Sequence, residues 1–402
     1  MKSKSILKTA LSVCVLASSM ALLTACGAGH THIYSEKWSA DNTYHWHTTL
    51  CNDTDEVKDK EAHGEGVWKF DANKHWKACP TCEYILTTET AHNYTNLVCE
   101  CGKISSEAVA RVGTENNFRY VSELNADVFA SLKDGETLSL LQDYTDTKAT
   151  KEYLMPIDAN VVLDFNGFTF STTGQGIDLA YNKANKVLTL KNGKLETAGN
   201  GVYIQNGGHL VVEKDFTIYG NKGGNNSSKA AVVVTEKDSQ VDVKGTLKTD
   251  GSTFTLSGNG SAGLGGVTIN VLDGAKIGAD KDNGIAIYMP NAKELNIGRA
   301  TITGETGVYI KSGTTNINGA TINAYGKKAA FEHNGNGANA TGSAIVVEAC
   351  GYPGGDPVVN IVSGEFNSVN NKPLEIIHYN GHTTSISTNM PSLDLTPTIV
   401  NA

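Results

Sequence analysis

Apolar residues recur in a short phrase along most of the chain. Each phrase has an apolar residue, a middle residue that is usually polar and a second apolar residue, often followed by a turn with Gly or Asn. Successive phrases stand 20 to 31 residues apart, except for one step of 44 residues that we count as two repeats, with 345–347 between. The phrases are 163–165, 188–190, 210–212, 241–243, 269–271, 295–297, 315–317 and 359–361.

This period predicts a parallel β-helix, a solenoid in which each coil consists of about three short strands. Alternate side chains would point into a core and stack on the coils above and below. Gly and Asn would occupy the corners, because both tolerate positive φ. We therefore expect a mainly β domain of nine or ten coils over residues 107–402. An amphipathic helix predicted over 120–132 would cap its first coil.

The start of this region also resembles a known family. The predicted helix, the turn Lys133–Thr137, the next strand and the segment Leu163–Gly167 resemble the opening of right-handed, pectate-lyase-like β-helix domains on bacterial surface proteins. The resemblance covers about 290 residues and implies the right-handed fold. It implies little about function, since this fold supports many activities.

The N-terminus has the pattern of a lipoprotein signal. Lys2, Lys4 and Lys8 precede an apolar run that is too short for an ordinary membrane span. The run ends in Leu-Thr-Ala-Cys26-Gly, which resembles the bacterial lipobox. The resemblance implies a signal peptide over 1–25, lipidation of Cys26 and an extracytoplasmic protein anchored to the cell membrane. The alternative is an ordinary cleaved signal peptide with a chance cysteine.

Residues 26–106 have a different composition, with all four Trp, seven of the eleven His and five of the eight Cys between residues 30 and 105. The segment from Trp38 to His47 matches the segment from Trp68 to Lys77 at an offset of 30 residues. Short Trp/His/Cys repeats of this kind resemble those of surface proteins from anaerobic bacteria. The resemblance implies an irregular structural module that serves as a spacer.

Two close cysteine pairs in this module predict a zinc site. Cys79 and Cys82 form a CxxC, and Cys99 and Cys101 form a CxC before a glycine. Two such pairs on facing turns can close a tetrahedral thiolate site, with His75 or His92 able to replace a thiol. Disulfides are the main alternative, because an extracytoplasmic compartment can be oxidising. A weaker set of candidate ligands comprises His45, His47, Cys51 and His63.

Two outward columns of the predicted solenoid are candidate ligand-binding surfaces. One is an asparagine ladder formed by the middle residues of the repeated phrases. The other contains two tyrosines that alternate with inward apolar residues and suit contact with a sugar or a protein. The candidates are Asn270, Asn296, Asn316 and Asn360, and Tyr203 and Tyr309.

Charge and composition narrow the function. The net charge is -9 with only three Arg, which argues against nucleic-acid binding. Asp164 and Asp242 are the acids in the middle positions of the phrases, and they stand three repeats apart, whereas a glycosidase needs two close carboxylates. We expect a non-enzymatic, adhesin-type surface protein that binds glycan or host protein. The alternatives are a polysaccharide lyase or glycoside hydrolase and a structural envelope component.

Overall fold

The computed structural model describes residues 31–51, 56–147, 155–259, 265–278, 284–291 and 293–401. Cys26 and the signal segment lie outside this part of the chain. The chain divides into two compact units, one formed by Met1–Asn93 with Glu100–Lys103 and the other by Tyr94–Cys99 with Ile104–Ala402. We call them unit 1 and unit 2. No helix among the described residues is both long and apolar enough to cross a membrane.

Unit 1 is built from short antiparallel hairpins. Its hairpin β1–β2 pairs Ser39 with Trp46, and its hairpin β4–β5 pairs Lys69 with Trp76. The offset of 30 residues in the sequence is therefore a repeat of the same hairpin. The strands are β1 (Ser39–Ala40), β2 (Tyr44–Thr48), β3 (Val57–Ala62), β4 (Val67–Phe70), β5 (Lys74–Ala78) and β6 (Thr90–Ala91).

Unit 2 begins with elements that precede its parallel sheets. These are β7 (Tyr94–Thr95), β8 (Val98–Cys99), β9 (Ala110–Gly113), β10 (Phe118–Val121) and the helix α1 (Ala126–Ala130). The prediction of a helix over 120–132 is wrong at both ends. Val121 ends a strand that pairs with β9, and the Asn125 side chain accepts the Val128 N–H as an N-cap, so helical geometry starts after it.

Three parallel ladders form the rest of unit 2, and after β11 the chain enters them in a fixed order. The first ladder is β11 (Thr137–Leu140), β14 (Val161–Asp164), β17 (Val187–Lys191), β20 (His209–Val212), β23 (Gln240–Val243), β26 (Thr268–Val271), β29 (Glu294–Ile297), β32 (Thr314–Ala324), β34 (Val358–Ser368) and β36 (Ser385–Thr388). β9 pairs with its first strand in antiparallel orientation.

The second ladder is β12 (Tyr144–Asp146), β15 (Thr169–Thr172), β18 (Gly193–Thr197), β21 (Phe216–Gly220), β24 (Thr246–Thr249), β27 (Lys276–Gly278), β30 (Thr301–Gly304) and the later halves of β32 and β34. The third ladder is β13 (Met155–Ile157), β16 (Ile177–Leu179), β19 (Val202–Ile204), β22 (Val232–Val234), β25 (Phe254–Gly258), β28 (Ile285–Met289), β31 (Thr306–Ile310), β33 (Ile345–Ala349), β35 (Leu374–Tyr379) and β37 (Thr398–Val400).

Alternation along these strands builds one continuous core. Leu163, Leu190 and Val212 point inward and are fully buried, whereas residues between such positions in the first ladder are half-buried. Burying each such side chain stabilises the fold by about 1.5–3 kcal/mol. The prediction of a mainly β chain is confirmed, with large parallel sheets and a single short helix among the described residues.

Two details of the predicted register need correction. Thr189 pairs with Val162, and Asp164 pairs with Lys191, so Asp164 does not share the column of Asn270. The strand ends early because Asn166 and Gly167 turn with φ of 49° and 87°. A shift of two residues keeps the inward and outward alternation, so the apolar pattern cannot detect it.

The 44-residue step is also one repeat, not two. Asn316 pairs directly with Asn360, and Ile345–Ala349 belongs to the third ladder. The extra length is an insertion, residues 325–344, between β32 and β33.

Candidate metal groups and ligand face

The structure does not bring the four module cysteines together in one group. It distributes them over two groups, in each of which two His and two Cys place their ligand atoms within 4.8 Å of one another. Group A is His45, His63, Cys79 and Cys82, and group B is His75, His92, Cys99 and Cys101. Either group has the donor set of a tetrahedral metal site.

Distances in group A suit a metal ion. His63 Nδ1 lies 3.6 Å from Cys82 Sγ, and His45 Nδ1 lies 3.9 Å from Cys79 Sγ. Sulfur and nitrogen ligands of a tetrahedral zinc ion, at about 2.3 Å and about 2.0 Å from the metal, stand about 3.5 Å apart. Small side-chain movements would therefore complete the coordination.

A main-chain contact orients the ligand nitrogen of His63. His63 Nε2 lies 2.8 Å from the carbonyl oxygen of Asp41, which can only accept, so Nε2 carries the proton. In the neutral imidazole, Nδ1 then presents its lone pair to Cys82. The Asp41 side chain holds this turn by accepting the N–H groups of Thr43 and Tyr44 at 2.7 Å each.

The same arrangement recurs in group B. His92 Nε2 lies 3.2 Å from the carbonyl oxygen of Asp71, and His92 Nδ1 lies 3.6 Å from Cys101 Sγ. Asp71 accepts the N–H groups of Asn73 and Lys74, as Asp41 does in the first repeat. The sequence repeat thus extends to the orientation of a ligand histidine.

Electrostatics prepares Cys79 for metal binding. Burial opposes ionisation of this thiol, but hydrogen bonds from the Cys82 N–H and from His63 outweigh it and lower the Cys79 pKa to about 6. The Cys82 pKa is raised, first by burial and then by the neighbouring Cys79. The pair thus favours one thiolate, and a metal ion would stabilise the second.

Two of the weaker candidate ligands lie outside both groups. His47 stacks on Trp38 with ring centroids 3.9 Å apart. Cys51 Sγ lies 3.3 Å from His32 Nδ1. His45 and His63, in contrast, belong to group A with the CxxC. The sequence carried a signal for this partition, because His45 and His75 occupy the same place in the repeated hairpin.

The four asparagines of the first ladder form a continuous chain of side-chain hydrogen bonds. Each Nδ2 donates to the preceding residue of the column at 2.7 to 2.9 Å, and Asp242 accepts at one end. Ser387 donates to Asn360 at the other end at 2.7 Å. We call this column the amide ladder; its members are Asp242, Asn270, Asn296, Asn316, Asn360 and Ser387.

The two candidate tyrosines differ in exposure. Tyr203 is half-buried, and burial raises its pKa. Tyr309 is only 2% exposed, and its hydroxyl donates to Glu348 Oε2 at 2.6 Å. The expectation that Tyr309 offers a ligand an exposed ring is therefore corrected. Tyr309 packs in a second hydrophobic cluster that includes Ala338 of the insertion.

Comparisons of the chain with protein-family models, with curated proteins and with solved structures find no match.

Proposed function

We propose that unit 2 is a right-handed parallel β-helix. The fixed order in which the chain enters the three ladders supports this winding, and parallel strands joined by a crossover connection are right-handed in nearly all proteins. A stack of this kind is rigid, so its outer columns are already ordered before a ligand docks. Little conformational entropy is then lost on binding.

We also propose that groups A and B bind zinc as structural sites. Two thiolates and two imidazoles complete a tetrahedron and leave no position open for a substrate, as in structural zinc sites. Small hairpins such as β1–β2 have little core of their own and gain stability from a bound metal. Unit 1 would then serve as a metal-stapled spacer.

The tryptophans allow a selective test of these zinc sites. All four Trp lie in unit 1, and Trp38 and Trp68 pack edge-on against the group histidines His45 and His75 with centroids 4.6 and 5.0 Å apart. Elemental analysis of the purified chain should find about one to two zinc ions. Chelation should change the tryptophan fluorescence and leave the far-ultraviolet circular dichroism of the parallel sheets nearly unchanged. A metal-free chain with the same fluorescence would exclude the zinc proposal.

The function we propose is binding by a surface lipoprotein, anchored through a lipid on Cys26 and carrying unit 2 outside the cytoplasm. The amide ladder carries this proposal. Each side-chain amide offers two N–H donors and two acceptor lone pairs, and one of each suffices for the ladder. The remainder can face a ligand at the regular spacing of the strands. An extended glycan or protein segment has repeated polar groups that suit such a surface.

The test is a binding screen of the purified chain against immobilised glycans and host proteins. Asn296→Leu should weaken any binding through the amide ladder by roughly tenfold, which is the loss of about one hydrogen bond. Asn323→Leu is the matched control, because Asn323 also accepts a side-chain bond from an asparagine one strand away, Asn367, but lies on the second ladder.

Equal affinity of the two variants would place the ligand elsewhere. Cleavage of a polysaccharide by the purified chain would support the alternative of a carbohydrate-active enzyme. Absence of any ligand would support the alternative of a structural envelope component.

A further inference from the structure

The insertion of residues 325–344 folds against the outer side of the third ladder. Its Ala338 packs in a hydrophobic cluster with outward side chains of that ladder. Lys311, which is fully buried, donates from Nζ to the main-chain oxygens of Asn334 and Gly337 at 2.6 and 2.7 Å. The insertion is thus held by a buried cation as well as by apolar contact.

A cleft of about 500 Å³ opens beside the insertion. Its wall includes Phe254 and Tyr288, whose rings stack with centroids 4.3 Å apart. His333 of the insertion and Cys350, which follows β33, also line it. The cleft therefore brings a histidine and a thiol to a surface that a solute can reach.

Three metal-ligating atoms converge at this cleft. A ring nitrogen of His333, a carboxylate oxygen of Glu348 and Cys350 Sγ all lie within 4.8 Å of one another. Glu348 is fully buried, whereas His333 and Cys350 are partly exposed. The three residues come from unit 2 and are separate in sequence from groups A and B.

The two oxygens of Glu348 have different neighbours. Oε2 accepts the Tyr309 hydroxyl at 2.6 Å and lies 3.4 Å from Lys311 Nζ. Oε1 lies 2.9 Å from His333 Nδ1, on the side of the ligand group. Hydrogen bonds of this kind to the outer oxygen fix the orientation of a metal-bound carboxylate.

The His333 ring is also held in place. It stacks on Tyr379 with centroids 4.0 Å apart and an interplanar angle of 13°. A fixed ring and a fixed carboxylate lower the entropy that a metal ion must overcome to order its ligands.

We propose that His333, Glu348 and Cys350 bind a divalent transition-metal ion of the zinc class, with a coordination position open to the cleft. Imidazole, carboxylate and thiolate are ligands that zinc accepts, and three protein ligands with one open position distinguish a reactive site from a closed structural one. Binding would replace the hydrogen bond between His333 and Glu348 by two metal bonds and would release the Cys350 thiol proton to solvent.

Charge balance is consistent with such an ion despite the nearby ammonium group. The Glu348 carboxylate and a Cys350 thiolate together offset the two positive charges of the metal. Lys311 keeps its two main-chain acceptors and lies 4.7 Å from the centre of the Tyr352 ring. These contacts stabilise the ammonium while the carboxylate is shared with the metal.

The experiment measures alkylation of Cys350 by iodoacetamide in the full chain, with the Cys350 peptide resolved by mass spectrometry from the other cysteines. Added zinc should slow this labelling roughly tenfold, because a metal-bound thiolate is a poor nucleophile. His333→Gln should abolish the protection and lower the zinc content by about one ion per chain. His209→Gln is the matched control, since His209 Nε2 also lies 2.9 Å from a carboxylate oxygen, that of Asp242.

The proposal is overturned if zinc leaves Cys350 labelling unchanged in the wild-type chain and both variants keep the same metal content. The buried network around Glu348 would then have only a structural role. Should His333→Gln fail to fold, Cys350→Ser replaces it, because the hydroxyl keeps a donor of similar size near Glu348. Unchanged zinc content in folded Cys350→Ser would also reject the site.

Discussion

Asn270 donates its side-chain N–H to Asp242 Oδ1 at 2.7 Å, and this bond ends the amide ladder at a carboxylate. The identity of the end residue has a physical reason. The preceding residue of the column, Val211, has no side-chain polar atom, and a carboxylate accepts without requiring a partner for a donor. Ser387 supplies the complementary donor at the far end, so all the bonds between run in one direction.

Replacing Asp242 by Asn should destabilise unit 2. The Asp242 carboxylate also lies 2.9 Å from His209 Nε2 and accepts Gln240 Nε2 at 2.9 Å, and an amide can serve these partners only in part. We expect a loss of about 1–2 kcal/mol in the free energy of unfolding, measured by denaturant titration. Asp273→Asn is the control, because Asp273 pairs with Arg299 at the exposed surface and should matter less.

The same carboxylate predicts an acid dependence. Burial raises the Asp242 pKa, but hydrogen bonds from His209, Asn270 and Gln240 outweigh it and lower the pKa to about 2 from its ordinary 3.8. The stabilisation is therefore fully present above about pH 4 and is lost as the pH falls towards 2. Asp242→Asn should remove this part of the acid sensitivity. A variant whose stability falls with acid as steeply as that of the wild type would contradict the assignment.

Asp178 should show the opposite pH dependence. Burial raises its pKa to about 6, although Gln205 donates to the carboxylate at 2.6 Å. Ionisation above that pH destabilises the folded state, so unfolding stability should fall as the pH rises from about 4 through 6. Asp178→Asn should be up to about 3 kcal/mol more stable than wild type at pH 8 and nearly equal at pH 4. A stability difference that does not change with pH would reject this explanation.

How far the sequence predicts this fold depends on which feature is considered. Alternation of apolar and polar residues identified the inward positions and the parallel ladders, because burial imposes that period directly. Alternation did not fix the register at Asp164, since a shift of two residues leaves it unchanged. Nor did it reveal that residues 325–344 are an insertion, because the spacing of the phrases alone cannot distinguish an extra coil from an extra loop.

The candidate sites were predictable to a similar degree. Cysteine spacing identified the residue types of a metal group, but it did not predict that each pair would meet two histidines. That partition depends on where the repeated hairpins place His45 and His75 in space. Tyr309 was correctly placed outside the inner core, yet its exposure depends on the insertion that packs nearby, which no local pattern indicates.

Cys26 lies outside the described residues, and its role is tested in cells. If the lipobox resemblance is correct, Cys26→Ala should abolish labelling of the protein by a radioactive fatty acid, because the thioether cannot form. The variant should remain as uncleaved precursor or appear in a soluble fraction. A Cys350→Ala variant is the control and should label normally. Persistent labelling of Cys26→Ala would show that the lipid is attached elsewhere or not through this signal.

Removing one hydroxyl should distinguish the two candidate tyrosines. Tyr309→Phe deletes the 2.6 Å donor to the fully buried Glu348 and leaves that oxygen with Lys311, at 3.4 Å, as its remaining neighbour. An under-satisfied buried carboxylate costs about 1–3 kcal/mol, so the unfolding free energy should fall by that amount. Tyr203→Phe should change it by less than about 0.5 kcal/mol, because Tyr203 is half-buried and water can replace its hydroxyl contacts. Equal losses in the two variants would mean that the Glu348 network contributes nothing beyond what a half-buried surface tyrosine provides, and the buried anchor of the insertion would have to lie in its apolar contacts instead.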